Sequence, residues 1–168
     1  DVYKRQIPVG LNDSKKLAAK RRIVLFEEIM LSSIVSYVHV DVGEIDKINI
    51  LQATFRAMER SICKLPIPDH ILIDGNKLPP NLPSPATAII KGDSKSASIA
   101  AASIIAKVIR DRLMADLSVE YPGYGWEKNA GYGTKMHQSG LLNNGVTPHH
   151  RRSFKPIHNM LYSASPRK

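Results

Sequence analysis

Apolar positions recur at helical spacing in three stretches of the chain and in short β-branched runs between them, an order that predicts an α/β fold. Asn12-Asp13-Ser14 is a cap signal ahead of a basic stretch in which Leu17, Val24, Leu25 and Ile29 share one face, predicting a helix of about four turns. Ser36 to Val42 alternates, with Val38, Val40 and Val42 on one side and Tyr37, His39 and Asp41 on the other, which predicts a half-buried strand and puts His39 on its solvent face. From Glu44 to Lys64 the helical period returns. Ile48, Leu51, Phe55, Met58 and Ile62 form a stripe expected to be core, and Cys63 at its end reads as a small apolar residue.

Two shorter runs, His70 to Ile73 and Ala86 to Ile90, are too short for helices and read as buried strands. Each stops at a carboxylate. Asp74-Gly75-Asn76 follows the first and Lys91-Gly92-Asp93-Ser94 the second, with a glycine beside each acid to let the backbone turn. Between them, Lys77 to Pro85 holds four of the eleven prolines and is expected to be an extended loop. A long helix is predicted from about Ser96 to Glu120, opened by small residues and closed by Tyr121-Pro122-Gly123. Beyond it a glycine-rich region carries one more expected helix, near Thr134 to Asn143, and a loop through Gly145 to Pro148. Asp1 to Gln6 show neither period and are read as a non-native junction, leaving 7–168 as one domain.

Composition narrows the class. A length of 168 residues, 43% hydrophobic, fits a single domain with a real core. One cysteine excludes a disulfide-built scaffold and a cysteine-rich zinc module, so a reducing, cytoplasmic setting is expected. No apolar run approaches the about eighteen residues a membrane span needs. The net charge of +9 is concentrated: from Tyr121 onward there are seven basic residues and one acid, so this region carries +6 of it. A basic face of that kind suits a polyanion, although a well-solvated surface has the same composition.

The sharpest chemical feature is the pair Asp74 and Asp93 at the ends of buried strands, where a sheet edge holds side chains rigidly. Brought together, two carboxylates bind a hard cation, Mg²⁺ or Mn²⁺ rather than zinc, and in a basic chain that suggests phosphodiester chemistry. As isolated residues they are equally explained as turn formers. Convergence requires the two strands to run parallel, since a tight hairpin would send the acids to opposite edges. The loop can return along a five-residue strand of roughly 17 Å, because nine extended residues reach about 30 Å.

Other groups are weaker singly. Asp13-Ser14-Lys15-Lys16 offers amides, a hydroxyl and two ammonium groups as a phosphate cradle, and a plain capped helix start accounts for it as well. Tyr132, set between Gly131 and Gly133, can present its ring for stacking on a sugar or base, or serve only as a turn residue. His149-His150-Arg151-Arg152 can contact phosphate, and lacks the further ligands of a zinc site.

Taken in order, GLNDSKKL (Gly10 to Leu17), EIDKINILQAT (Glu44 to Thr54), ILIDGN (Ile71 to Asn76), KGDSK (Lys91 to Lys95), AASIIAKVIRDRLM (Ala101 to Met114), YPGYGW (Tyr121 to Trp126), GYGT (Gly131 to Thr134) and TPHHRRSF (Thr147 to Phe154) closely resemble bacterial ribonuclease HII, the type 2 ribonuclease H, over about residues 7–160. The resemblance implies an RNase H-like fold, a mixed sheet flanked by helices. It also implies cleavage of the RNA strand of RNA–DNA hybrids, and 5′ to ribonucleotides embedded in duplex DNA, by an enzyme expected to be monomeric in which four carboxylates hold two divalent ions. On this likeness Asp74 and Asp93 match the third and fourth acids, and Tyr132 the tyrosine that stacks on the deoxyribose after the ribonucleotide. Lys15, beside Ser14, and Asn49 fall in segments near substrate phosphates, with Arg151 and Arg152 as further phosphate contacts.

The family opens with a strand bearing an Asp-Glu pair and a Gly-Arg-Gly-like turn, and this sequence has neither. The expectation is therefore of a fold lacking its first strands, and of very weak cleavage, since two carboxylates do not hold two ions roughly 3.5–4 Å apart. The competing reading is a non-catalytic nucleic-acid-binding module with structural acids. A different two-metal phosphotransferase is disfavoured by the whole ordered set of segments.

Overall fold

A computed structural model of the chain describes residues 7–162, so the junction expected at residues 1–6 lies outside the described residues. Its elements are α1 (Ala19–Ser32), α2 (Val42–Ile62), β1 (Ile71–Asp74), β2 (Ala86–Ile89), a 3₁₀ turn (Gly92–Ser94), α3 (Ala97–Glu120), α4 (Trp126–Asn129), α5 (Lys135–Asn144) and α6 (Lys155–Tyr162). Among the described residues no helix is long and apolar enough to cross a membrane. The chain divides into two compact units, one built from residues up to Val38 with Met58–Arg112, the other from His39–Ala57 with Leu113 onward.

In the first unit α1 and α3 pack face to face: Leu25, Phe26 and Ile29 meet Ile104, Ile105 and Val108, with Leu11, Leu17, Val35, Ala101 and Ile109 around them. Leu25 and Ile104 are wholly buried, and each such side chain stabilises the unit by about 1.5–3 kcal/mol. The buried face of α1 is rotated from the expected one, with Phe26 inside and Val24 44% exposed. The Arg112 guanidinium lies 4.6 Å over the Phe26 ring, adding a cation–π contact to that packing. α1 also starts later than the cap signal suggests. Asp13 caps a separate turn, its Oδ1 accepting from the Lys15 amide at 2.9 Å, and the N-cap position of α1 is Ala18.

β1 and β2 pair in parallel, with Ile71 opposite Ala86 and Asp74 opposite Ile89. Bonds from the Ile71 amide to the Pro85 carbonyl and from the Gly75 amide to the Ile89 carbonyl extend the ladder at both ends. The proline-rich return is anchored where the Asn81 amide donates to Glu59 at 2.9 Å. Among the described residues the sheet has these two strands alone. Ser36 to Val42 is not a strand: the alternation survives as half-buried valines against exposed Tyr37, His39 and Asp41, but no ladder forms there and Val42 already opens α2. Side-chain period selects a face; only a hydrogen-bonding neighbour makes a strand.

In the second unit Met114, Tyr124, Trp126, Leu141 and Ile157 form the core, with the Tyr124 and Trp126 rings stacked 4.9 Å apart. Gly140 permits this packing, because a Cβ there would sit 2.5 Å from the Gly123 carbonyl oxygen. α2 is broken at Asn49 (φ 69°, ψ 165°), and its carboxamide oxygen accepts from the amides of Leu51 (3.0 Å) and Gln52 (3.2 Å), capping the following turns. The expected core stripe is only half-buried, with Ile48, Phe55, Met58 and Ile62 intermediate and Leu51 exposed. Ala53 alone is buried in α2, and Leu51 is 42% exposed. Cys63, just past the helix, is exposed as well. α4 and α6, of four and eight residues, have no counterpart among the expected elements.

Candidate active site

Parallel pairing ends both strands at the same edge, and the chain turns sharply after each. Gly75 (φ 112°) takes it away from Asp74, and Lys91 (φ 56°) leads into the 3₁₀ turn that carries Asp93. The two turns are joined directly: the Gly92 amide donates to Asp74 Oδ1 at 2.8 Å. Gly92 is needed for that approach, since a Cβ would stand 2.5 Å from Ile99 Cδ1 and 3.4 Å from Asp74 Oδ1. Around this junction Asp13, Lys16, Asp74, Lys91, Asp93 and Ser94 line a cleft of about 360 Å³.

The cleft thus combines carboxylates, which attract cations, with the ammonium groups of Lys16 and Lys91, which attract anions. The donor set is all oxygen on the acidic side, which fits Mg²⁺ or Mn²⁺. Among the described residues no group of three or more His, Cys, Asp or Glu side chains comes close enough together to hold a metal ion; Asp74 and Asp93 are the two acids of the cleft that stand at the strand ends. The turn bearing Asp13 and Lys16 is clamped from behind. Arg22 Nη1 donates to the carbonyls of Ser14 (2.9 Å) and Leu17 (2.6 Å), and Arg22 Nη2 lies 3.8 Å from Asp111 of α3.

Of the turn residues singled out in the sequence, Lys15 is exposed and Ser14 buried, while the cleft is lined by their neighbours Asp13 and Lys16. Lys91 and Ser94 join them there. Their signal was adjacency to Asp93, and nothing local distinguished them from ordinary turn residues.

The remaining predicted residues belong to the second unit. Tyr132 stands 68% exposed on the loop between α4 and α5, and Asn49 has the capping role described above. Arg151 stacks its guanidinium 3.9 Å over the Phe154 ring; burial pulls its pKa below the ordinary value, and Asp46 partly offsets this. Arg152 is exposed, with its amide bound to Asp46 Oδ2 at 2.8 Å. Sequence reading missed Asp46, which also accepts from the Ser153 amide at 3.0 Å and from its hydroxyl. His150, read from the sequence as able to contact phosphate, is instead 5% exposed, and its Nε2 lies 3.0 Å from that of buried His137, a pairing the sequence reading missed. Both depend on partners distant in sequence.

A family model described as Ribonuclease HII matches residues 4–157. Ribonuclease HII of Ruegeria pomeroyi is 59% identical over 157 residues, covering 93% of this chain and 67% of that protein. Ribonuclease HII of Cereibacter sphaeroides (strain ATCC 17025 / ATH 2.4.3) is 57% identical over 162 residues, covering 96% and 76%. The crystal structure of the ribonuclease H2 from Pyrococcus horikoshii OT3 superposes with a TM-score of 0.74 at 24% identity, covering 90% of this chain and 80% of that one, which assigns the RNase H-like α/β fold. With a family match across nearly the whole chain and relatives more than half identical to it, the chain belongs to the ribonuclease HII family, enzymes of the ribonuclease H type.

Proposed function

We propose that the protein is a metal-dependent endonuclease that cleaves the RNA strand of RNA–DNA hybrids, and 5′ to ribonucleotides embedded in duplex DNA, by two-metal-ion hydrolysis leaving a 5′-phosphate. The single observation that supports this most is the Gly92–Asp74 hydrogen bond, which draws the turn carrying Asp93 against the end of β1. Asp74 and Asp93 would be metal ligands, with Mg²⁺ or Mn²⁺ supplying an activated water and stabilisation of the leaving 3′ oxygen. Lys16 and Lys91 stand where a scissile phosphate would need countercharge. Tyr132 would stack on the deoxyribose after the ribonucleotide, and the Ser14–Lys15 turn, Asn49, Arg151 and Arg152 would contact the duplex backbone. The domain is taken as residues 7–168, acting as a monomer in the cytoplasm.

The test is incision of a duplex containing one ribonucleotide, at stoichiometric protein with Mg²⁺ or Mn²⁺. Two carboxylates are a sparse ligand set, so slow cutting is expected, on the 5′ side of the ribonucleotide, with loss on the order of a hundredfold or more in Asp74→Asn and in Asp93→Asn. Mn²⁺ binding followed by electron paramagnetic resonance should weaken in the same variants. The sparse ligand set also favours a second reading, a non-catalytic duplex-binding module. Unchanged or tighter duplex binding in the double variant, with no metal-dependent cutting by either protein, would replace the first reading by the second.

A further inference from the structure

Tyr132 lies between two glycines, a setting that by itself leaves its ring mobile, yet its backbone is held on both sides. Its amide donates to the Asn129 carbonyl at 2.8 Å, and its carbonyl accepts from the Thr134 amide at 2.8 Å. That carbonyl also lies 3.0 Å from His137 Nδ1. The polarity of the buried network behind it follows from groups that can only donate. The Thr147 amide points at His150 Nδ1 at 3.0 Å, so that nitrogen bears no proton. Neutral His150 therefore carries its proton on Nε2, which faces His137 Nε2 at 3.0 Å. The Trp126 indole N–H donates to the same His137 Nε2 at 3.2 Å. With two donors converging on Nε2, His137 must carry its proton on Nδ1 and donate it to the Tyr132 carbonyl.

We propose that His137 is a positioning residue for nucleic-acid binding: locked in one tautomer by Trp126 and His150, it fixes the Tyr132 backbone so that the exposed ring is presented in a set orientation. Preorganisation is the physical benefit. A ring held in place before binding loses less conformational freedom when it stacks, so more of the stacking energy appears as affinity. His137, His150, Thr147 and Trp126 are all buried, so water does not compete for these bonds. The cationic form of His150 is disfavoured by the same burial. The proposal rests on the reading of Tyr132 as a stacking residue, and the test separates the two.

The affinity of the chain for a ribonucleotide-containing duplex, read by fluorescence anisotropy, is compared among Tyr132→Ala, His137→Phe, their double variant and His137→Asn, whose side-chain amide stands near the Nδ1 position and keeps a donor for the Tyr132 carbonyl. Tyr132→Ala should weaken binding about tenfold, the loss of one stacked ring. His137→Phe should approach that loss, add little to it in the double variant, and speed amide exchange across 131–134, while His137→Asn restores affinity and protection. Additive losses in the double variant, or an unrestored His137→Asn, would overturn the positioning role. No loss in Tyr132→Ala would overturn the stacking reading beneath it. If His137→Phe does not fold, His137→Gln, whose side-chain amide stands near the Nε2 position and leaves the Tyr132 carbonyl without the Nδ1 donor, takes its place; faster exchange across 131–134 with weaker binding supports the proposal, and parent-like exchange and affinity refute it.

Discussion

The amide of Gly92 donates to the carboxylate of Asp74 across 2.8 Å, joining the turns that follow two parallel strands. The bond satisfies one oxygen of Asp74 and ties the turn that carries Asp93 to the end of β1. Everything the cleft can do chemically depends on that proximity.

Substituting Gly92→Ala tests it. The added methyl would meet the buried Ile99 side chain at 2.5 Å, and overpacking of this kind costs about 1–3 kcal/mol. A lower melting temperature is expected, together with weaker Mn²⁺ binding. Combining it with Ile99→Val, which shortens the side chain in the way, should recover part of both.

Arg22→Met should loosen the turn of Asp13 and Lys16. The guanidinium bonds the Ser14 and Leu17 carbonyls and faces Asp111, and a hydrogen bond from a charged group contributes about 1.5–3 kcal/mol. Denaturant unfolding should show a loss of roughly 2 kcal/mol or more, whereas Lys15→Met, at an exposed side chain, should fall within about 0.5 kcal/mol of the parent.

Acid should destabilise the second unit first through His150. Burial, and secondly the neighbouring His137, push its pKa from 6.5 down to about 4. The unfolded chain thus takes up this proton at higher pH than the folded one. The stabilisation is complete above pH 6.5 and is lost as pH falls toward 4, by up to about 3 kcal/mol at 1.36 kcal/mol per unit. His150→Gln should flatten the pH dependence of the melting temperature over that window.

Asp46 acts in a lower window. Burial alone would raise its pKa, but the hydroxyl and amide of Ser153, the amide of Arg152 and the charge of Arg151 outweigh it, and the carboxyl titrates below 3.8. Its contribution is therefore present above that value and lost as pH falls below it. Asp46→Ala removes the acceptor of the turn before α6 and should cost about 0.5–2 kcal/mol at neutral pH, as losing a cap does. The difference from the parent should shrink below pH 4 in thermal melts.

Local pattern carried the elements whose cause is local. β1, β2, α3 and α5 stand within one or two residues of where period and turn residues put them, because the two β-branched runs find their ladder in each other and a cap such as Thr134, whose hydroxyl accepts from the His137 amide at 3.3 Å, is local. The valines of 38–42 show the limit: their alternation is visible in sequence and in exposure, yet a ladder requires a neighbouring strand, which a one-dimensional pattern does not contain. The stripe of α2 is half-buried rather than core for a related reason, since spacing selects a face and only what packs on that face decides how far it is buried.

The candidate site divides in the same way. The amino-acid order alone determined the carboxylates at two strand ends, the glycines that free them, the tyrosine between glycines, and the ordered segments that carry the family. Tertiary structure decided that Asp13, Lys16, Lys91 and Ser94 share the cleft with Asp74 and Asp93, that Asp46 binds a turn more than a hundred residues away in sequence, and that two histidines meet beneath Tyr132. Residue type and spacing act through neighbours along the chain. Hydrogen bonds and burial act through neighbours in space, and only folding settles which those are.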